Sequence, residues 1–294
     1  MRYLPPSQSR FRPISFSWDG PADAVGERRY AKAKKEDAIM QIYVCVKHVP
    51  DTAANIKVIG ENGFDDGGCK FIANPYDEYA VEQAVRLVEK NSGEVIIVTL
   101  GKPAAVATIR AAMAMGAHRG ILVTVGDQFV DSQITAKAMA AAIGQDGKAD
   151  LIFTGKGAVD TEGFQTLYRL AAAMNLPVVN EINKMDLADG KAVVGREIGG
   201  GAREVIEISL PCVLGATKGL NEPRYPKFPD IMKAKKKPVK EIALVDLDIF
   251  AGASASELLK LEKVPERTGA KMLDGDARQV VEELVRVLKE EKVI

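Results

Sequence analysis

The sequence predicts an α/β protein with a doubly wound, mostly parallel, Rossmann-like sheet, an antiparallel hairpin extension and a C-terminal helical arm. Four short runs rich in β-branched residues, IYVCVKHV, EVIIVTL, GILVTV and DLIFTG, have the composition of buried parallel strands. Segments with apolar residues three and four positions apart separate these runs, as in NPYDEYAVEQAVRLVEKN. Such alternation is typical of a parallel sheet that helices cover on both faces.

The helices are predicted from their capping residues and their apolar spacing. Asn74 and Pro75 suit the cap and first turn of the first helix, and the next, PAAVATIRAAMAMGA, begins at Pro103 and ends near Gly116. DSQITAKAMAAAIG and TEGFQTLYRLAAAMN follow the same pattern. The fourth helix is therefore expected to begin near Thr161.

The pattern changes after Pro177. The stretch NEINKMDLADGKAVVGREIGGGAREVIEISLPCVLGA has no helical period and carries turn signals at 189–190 and 199–201, which predicts antiparallel hairpins. The final segment, DARQVVEELVRVLKEE, predicts an amphipathic helix that is opened by Asp274 or Asp276 and lies apart from the main body.

Composition excludes several classes of protein. Forty basic residues balance forty acidic ones, so the whole chain has no net charge that would attract nucleic acid. The three widely spaced cysteines, Cys45, Cys69 and Cys212, and only two histidines argue against a disulfide framework and a metal site, and favour a reducing cytoplasm. No apolar run approaches the roughly 18 residues that span a bilayer, so no membrane insertion is expected.

Residues 1–39 are expected to form a disordered extension, because they combine prolines and scattered charge with no sustained apolar period. A strand-like run begins directly after Met40. We therefore hypothesise that Met40 is the natural start, which an intact-mass measurement on the native protein would test.

The candidate ligand site is the loop TGKGAVDTEGFQT, residues 154–166, between a strand and a helix, where open α/β sheets bind ligands. Gly155 and Gly157 let the backbone approach a ligand, Lys156 supplies a cation, and the N–H groups of the helix suit a phosphate. An ordinary turn is the alternative interpretation. No catalytic motif stands beside this loop in the sequence, so no independent catalytic residue is expected.

The charges of this loop limit the ligand. Asp160 and Glu162 argue against a crowded polyphosphate and favour a single phosphate. Thr161, Gln165 and Thr166 offer hydroxyl and amide groups to it.

A second candidate site is ANPYDEYA, at the start of the first helix. Asn74 and Asp77 lie there at the carboxyl end of the predicted sheet, where they would address a base or a ribose. The alternative is that Asn74 only caps the helix.

The segment LNEPRYPKFPDIMKAKKKP resembles the signature of the electron-transfer flavoprotein beta-subunit family. VCVKHVPDT, NPYDEYAVEQAVRL, TIRAAMAMGAHRGI, GKGAVDTEGFQT and GREIGGGAREVIEISLPCV follow that family in the same order. The resemblance covers the chain from Met40 to the C-terminus. It implies an adenine-nucleotide-binding domain over residues 40–240 and an arm over 241–294 that packs on an alpha subunit.

The resemblance also implies two cofactors. The beta subunit buries one AMP, and the heterodimer with alpha holds one FAD, mostly through alpha. A second FAD in place of AMP, as in NADH-dependent electron-bifurcating members, is the alternative, because Gly157 stands where many relatives carry glutamine; Phe164 would then stack on a ring. The residues implied to contact the nucleotide are Cys45, Asn74, Pro75, Tyr76, Asp77, Leu100, Gly155, Lys156, Gly157, Ala158, Val159, Asp160, Thr161, Glu162, Gly163, Phe164, Gln165 and Thr166.

In the family, residues 217–238 correspond to a loop that docks on partner dehydrogenases. Pro223, Pro226 and Pro229 are expected to hold it extended, with Phe228 as an exposed apolar anchor where relatives have leucine. The lysines Lys233, Lys235, Lys236 and Lys237 would form a positive rim. The residues implied to bind partners are Glu197, which faces the flavin domain of alpha, and Tyr225, Phe228, Ile231, Met232, Lys233 and Lys236.

The function implied is that of an electron carrier subunit without catalysis of its own. With alpha it would carry electrons from flavin-dependent dehydrogenases, such as those of fatty acid β-oxidation, towards a membrane quinone oxidoreductase. Two alternatives stay open: the bifurcating flavoprotein, and a nucleotide-sensing or nucleotide-hydrolysing stress protein on a similar fold.

Overall fold

The computed structural model of the chain describes residues 39–188, 190–247, 249, 254–263, 265 and 269–294. The disordered extension expected over residues 1–39 lies outside the described residues, apart from the exposed Ile39. The hypothesis of a start at Met40 stays a prediction.

One nine-stranded sheet dominates the fold, in the order β11-β10-β9-β12-β8-β1-β6-β7-β13. The adjacent strands β9, β12, β8, β1, β6, β7 and β13 run parallel to one another. At the other end of the sheet, β10 pairs antiparallel with both β9 and β11. Two short antiparallel pairs, β2–β5 and β3–β4, lie apart from it. The strands are β1 (Met40–Cys45), β2 (His48–Pro50), β3 (Val58–Ile59), β4 (Gly63–Phe64), β5 (Phe71–Ala73), β6 (Gly93–Gly101), β7 (Arg119–Thr124), β8 (Leu151–Gly155), β9 (Val178–Ala188), β10 (Lys191–Glu197), β11 (Arg203–Ser209), β12 (Cys212–Ala216) and β13 (Val239–Ala243).

Helices cover both faces of the sheet, as the sequence predicts. On β1, Ile42 and Val44 join one hydrophobic cluster with the first two helices, and Tyr43 and Cys45 join a second cluster with the next two. Alternate side chains of a strand point to opposite faces, so a strand buried on both faces is apolar throughout. The helices are α1 (Pro75–Asn91), α2 (Val106–Ala114), α3 (Ser132–Asp146), α4 (Thr166–Ala173), α5 (Phe228–Ala234) and α6 (Ala277–Glu290).

The start predicted for the fourth helix is wrong, because α4 begins at Thr166 and not near Thr161. Glu162 and Phe164 have φ values of 47° and 49°, in the left-handed region that a right-handed helix cannot include. The loop after β8 is therefore longer than expected.

Two further local predictions are wrong. The last run of the predicted hairpins, CVLGA, forms β12, which inserts between β9 and β8 as a parallel strand. The proline-rich segment is not extended throughout, because α5 begins at Phe228 with Pro229 in its first turn, where a missing N–H costs no helical hydrogen bond. The antiparallel hairpins of β9, β10 and β11 are confirmed.

The C-terminal part contributes both to the sheet and to an isolated helix. β13, which the sequence did not predict, forms an edge of the sheet beside β7, and the boundary expected after residue 240 falls inside it. α6 begins after Asp276, which forms a capping box with Gln279, and no residue of α6 is buried. Among the described residues, no helix is both long and apolar enough to cross a membrane.

Candidate functional site

A cavity of about 340 Å³ opens at the carboxyl ends of β1, β6 and β8. β1 lies between β6 and β8, so the chain leaves this point towards both halves of the sheet, which is where open α/β sheets form ligand crevices. The first turns of α3 and α4 complete the wall.

Most of the residues expected to contact a nucleotide line this cavity: Cys45, Asp77, Leu100, Gly155, Lys156, Gly157, Ala158, Thr161, Gly163, Phe164, Gln165 and Thr166. The remaining ones, Asn74, Pro75, Tyr76, Val159, Asp160 and Glu162, lie behind or beside the wall. Thr154, the first residue of the predicted loop, also lines the cavity. The wall further includes residues that the sequence did not single out: Val46, Lys47, Phe129, Val130, Asp131, Ser132, Thr135, Met139, Leu167, Leu170 and Ser256.

Asn74 is buried and holds the loop after β8. Its Nδ2 donates to Asp77 Oδ1 and to Gly157 O, both at 2.9 Å, and its Oδ1 accepts from Val159 N at 3.1 Å. It makes no side-chain hydrogen bond that caps α1, so the alternative that Asn74 only caps its helix is wrong. The side chain instead fixes the backbone that lines the cavity.

Asp77 joins the ends of two parallel strands. Its Oδ1 accepts from Gly155 N at 2.9 Å, and its Oδ2 accepts from Lys47 N at 2.7 Å. Burial raises the pKa of Asp77 to about 7, against the lowering effect of these hydrogen bonds and of the bond from Asn74. The carboxylate thus sets the distance between β1 and β8 beneath the cavity.

Glycine is required at two positions of the loop. A Cβ on Gly155 would lie 2.3 Å from Asp77 Oδ1, and one on Gly157 would lie 2.6 Å from two ring carbons of Phe164. Real Cβ contacts are not that short, so any side chain at 155 would displace the buried Asp77. Phe164 fills the space that a side chain at position 157 would need.

Two lysines set the charge of the loop. Lys47 Nζ lies 2.7 Å from Asp160 Oδ2 and 3.3 Å from Thr161 Oγ1, so it offsets the Asp160 carboxylate. Lys156 Nζ lies 5.1 Å from the ring centroid of Tyr76 and 5.9 Å from that of Phe164, within the range of cation–π contacts. Lys47 was missed, although its place two residues after the end of β1 is a signal for a crevice residue.

The C-terminal segment contributes to the wall through Asp131. Asp131 Oδ1 accepts from Ile134 N at 2.8 Å and caps α3, while Oδ2 accepts from Ala255 N at 2.7 Å and Ser256 N at 3.2 Å. Burial acts to raise the pKa of Asp131, but these hydrogen bonds outweigh it and hold that pKa below its ordinary value. Ser256 is thereby held against the cavity.

The residues expected to dock on partners form an exposed apolar surface. Tyr225 is 96% exposed and Phe228 is 74% exposed, and Phe228, Ile231 and Met232 follow the spacing of one face of α5. Lys233, Lys235 and Lys236 are exposed beside them. Glu197 lies elsewhere, on β10, where it accepts a hydrogen bond from Asn183 Nδ2 at 3.0 Å.

Lys237 does not belong to the expected positive rim. Its Nζ donates to the carbonyl oxygens of Met113 and Ala117 at the end of α2, and burial lowers its pKa. This lysine ties the end of the segment to the main body. Among residues with a described position, no group of three or more His, Cys, Asp or Glu lies close enough to hold a metal ion.

Comparison with known proteins assigns the chain to a family. A model of the electron transfer flavoprotein domain matches residues 63–247. The electron transfer flavoprotein subunit beta of Bacillus subtilis is 37% identical over 264 residues, which cover 87% of this chain and 100% of that protein. The human subunit of the same name is 38% identical over 257 residues, 86% of this chain and 98% of that protein.

A relative of a different kind is the caffeyl-CoA reductase-Etf complex subunit CarD of Acetobacterium woodii. It is 34% identical over 266 residues, 87% of this chain and 100% of that protein. The match to the family model and the identity to these relatives show that the chain belongs to the electron transfer flavoprotein family as a beta subunit.

Proposed function

We propose that this chain forms a heterodimer with an electron transfer flavoprotein alpha subunit and holds one AMP as a structural cofactor, while alpha supplies most of an FAD site. The heterodimer carries electrons from flavin-dependent dehydrogenases, such as acyl-CoA dehydrogenases, towards a membrane quinone oxidoreductase. The observation that carries the proposal is the cavity of about 340 Å³ at the carboxyl edge of the sheet. Family membership leaves the alternative of a stress protein without support.

The first turn of α4 suits a single phosphate. Gln165, Thr166 and Leu167 line the cavity, no side chain caps this helix, and its first turn has no acidic residue. The N–H groups there have no acceptor within the helix, and the helix dipole favours an anion at this end. The pairing of Asp160 with Lys47 weakens the repulsion that the loop would otherwise exert on a phosphate.

The rest of the wall suits a purine base. Leu100, Phe129, Val130 and Met139 supply apolar surface, and Gly155 and Gly157 let the backbone come close. The volume lies at the lower end of the range of about 300–1,000 Å³ for ligand pockets, which favours a mononucleotide over a dinucleotide. This supports AMP over a second FAD.

Extraction of bound nucleotides tests the cofactor assignment. The chain is produced together with its alpha subunit, the heterodimer is denatured, and the released nucleotides are separated by chromatography. We expect AMP and FAD in equal amounts. FAD alone, at twice the amount of heterodimer, would favour the bifurcating alternative that the relationship to CarD keeps open. An extract that contains neither AMP nor FAD would refute the proposal.

We further propose that Tyr225, Phe228, Ile231 and Met232 dock on the dehydrogenase, with the exposed lysines as a rim that speeds encounter with an acidic partner. Phe228→Ala should raise the KM of an acyl-CoA dehydrogenase for the heterodimer about tenfold, because a central apolar anchor is lost. FAD content should not change. Tyr168→Ala is the control, since Tyr168 is an exposed aromatic residue on α4. Equal effects of the two variants would contradict docking through Phe228.

Two contacts with alpha complete the proposal. The part of the predicted arm that carries α6 packs on alpha, which is supported by Val281, Leu284 and Val285, an exposed apolar group on one face of that helix. Glu197 meets the flavin domain of alpha through an exposed contact of about 1 kcal/mol or less, which suits a mobile interface. A reducing cytoplasm as the compartment stays a prediction.

A further inference from the structure

Residues 221–224, directly before the exposed Tyr225, are bound to α1 by a network of side chains. Arg224 Nε donates to Glu82 Oε2 at 2.8 Å, and its Nη1 and Nη2 donate to Glu89 at 2.6 and 3.0 Å. Asn221 Nδ2 donates to Tyr79 O at 3.0 Å. The guanidinium of Arg224 therefore bridges two carboxylates of one helix.

Glu82 is the centre of this network. Its side chain is 2% exposed and accepts from Arg224 Nε, from Arg224 Nη2 and from Arg86 Nε. Arg86 in turn donates to Glu222 O at 2.9 Å, which adds a second link from α1 to the same segment. Burial acts to raise the pKa of Glu82, but the bonds from Arg224 and Arg86 outweigh it and keep that pKa below its ordinary value.

Side-chain bonds to α1 and the fixed φ angles of Pro223 and Pro226 are the features that order this segment. Residues 221–227 belong to neither a helix nor a strand, so backbone ladders do not hold them. An ion pair that buries one carboxylate, as at Glu82, is also a poor way to gain stability, because an apolar pair of the same size is often as good or better. What it provides is a single, defined geometry, since a planar guanidinium accepts few arrangements of two carboxylates.

We propose that Glu82 and Arg224 are positioning residues for electron transfer: they hold residues 221–228 in one conformation, so that Tyr225 and Phe228 face the dehydrogenase before it arrives. This inference rests on the docking function proposed above. A loop that is already ordered loses less conformational entropy on binding, and that difference appears in the affinity of the encounter. Neither residue lines the cavity proposed for the nucleotide.

The test uses the complete heterodimer as the varied electron acceptor of an acyl-CoA dehydrogenase reduced by its acyl-CoA substrate. Glu82→Gln removes the charge that both arginines share. We expect KM for the heterodimer to rise about tenfold, while kcat and FAD content stay within about twofold of the unmodified protein. Because Glu82 acts through the loop, the effect should be smaller when Phe228→Ala is already present.

The matched control is Asp146→Asn. Asp146 is also a largely buried carboxylate that holds an arginine in a bidentate pair, with Arg119 Nη1 at 2.8 Å and Nη2 at 2.7 Å, but it lies at the end of α3. Loss of this pair should lower stability without changing KM. An equal rise of KM in both variants would mean that general destabilisation, and not loop position, is the cause, and would overturn the inference.

A second variant covers the case in which Glu82→Gln does not assemble. Arg224→Lys keeps the charge but cannot bridge Glu82 and Glu89 with a planar fork. It should raise KM and the hydrogen exchange of the amides of Asn221, Glu222, Arg224 and Tyr225. Unchanged KM and exchange would overturn the inference. If Phe228→Ala raises KM but neither Glu82→Gln nor Arg224→Lys does, the positioning role fails and the docking surface stands. If Phe228→Ala has no effect, the docking surface fails first.

Discussion

Replacement of Asp131 by asparagine should release residues 254–256 from the cavity while α3 stays intact. Asparagine is as good an N-cap as aspartate, so its Oδ1 can keep the bond to Ile134 N. Its Nδ2 would face the N–H groups of Ala255 and Ser256, which now donate to Oδ2 at 2.7 and 3.2 Å. The variant therefore separates the capping role of Asp131 from its contact with the C-terminal segment.

The size of the effect follows from these two bonds. A hydrogen bond to a charged group contributes about 1.5–3 kcal/mol, so the loss of two should total about 3 kcal/mol, taking the lower figure for each. Each 1.4 kcal/mol changes an equilibrium constant tenfold, so the equilibrium constant for local opening of residues 254–256 should rise roughly 100-fold. We would measure hydrogen exchange at Ala255 and Ser256 in the heterodimer, with Ile134 as the internal reference. Unchanged exchange at 255 and 256 would refute the reasoning, and faster exchange at Ile134 would mean that the cap was lost instead.

Two further predictions concern stability. Gly157→Ala should destabilise the chain by about 1–3 kcal/mol in urea unfolding, because its Cβ would meet the Phe164 ring, and Phe164→Ala should restore most of the loss. A loss that persists in the double variant would exclude this clash as the cause. The pKa of Glu82 is lower in the folded chain than in the unfolded chain. Its contribution to the free energy of unfolding is therefore fully present above about pH 4.5 and is lost as the pH falls through the lowered pKa. Glu82→Gln should flatten this acid limb of the stability curve, and an identical limb in both proteins would contradict the assignment.

Most of the fold could be predicted from local pattern. The runs that form β1, β6, β7 and β8 are apolar throughout because both of their faces are buried, and this composition is visible in the sequence. The run CVLGA shows why the rest could not be predicted. An apolar run has the same composition in a hairpin and in a parallel strand, and only its neighbours, β8 and β9, decide which it becomes.

The candidate site was predicted in part: the loop after β8 from its local pattern, and Cys45, Asp77 and Leu100 from the family resemblance. The loop after β8 has glycines and a lysine that indicate a ligand site in the sequence. Nine of its residues between Gly155 and Thr166 line the cavity. The other side depends on Asp131 and Ala255, which are 124 residues apart and carry no shared motif. Lys47 and Asp160 pair across 113 residues in the same way.

The amino-acid sequence by itself determined the α/β class, the helix and strand periods, the crevice loop and the family, because each depends on residues close together in the chain or on a contiguous motif. The tertiary structure alone decided which side chains meet: Asn74 with the loop after β8, Glu82 with Arg224, and Asp131 with the C-terminal segment. Those contacts depend on the order of strands in the sheet, which brings together the ends of segments that local composition treats as independent.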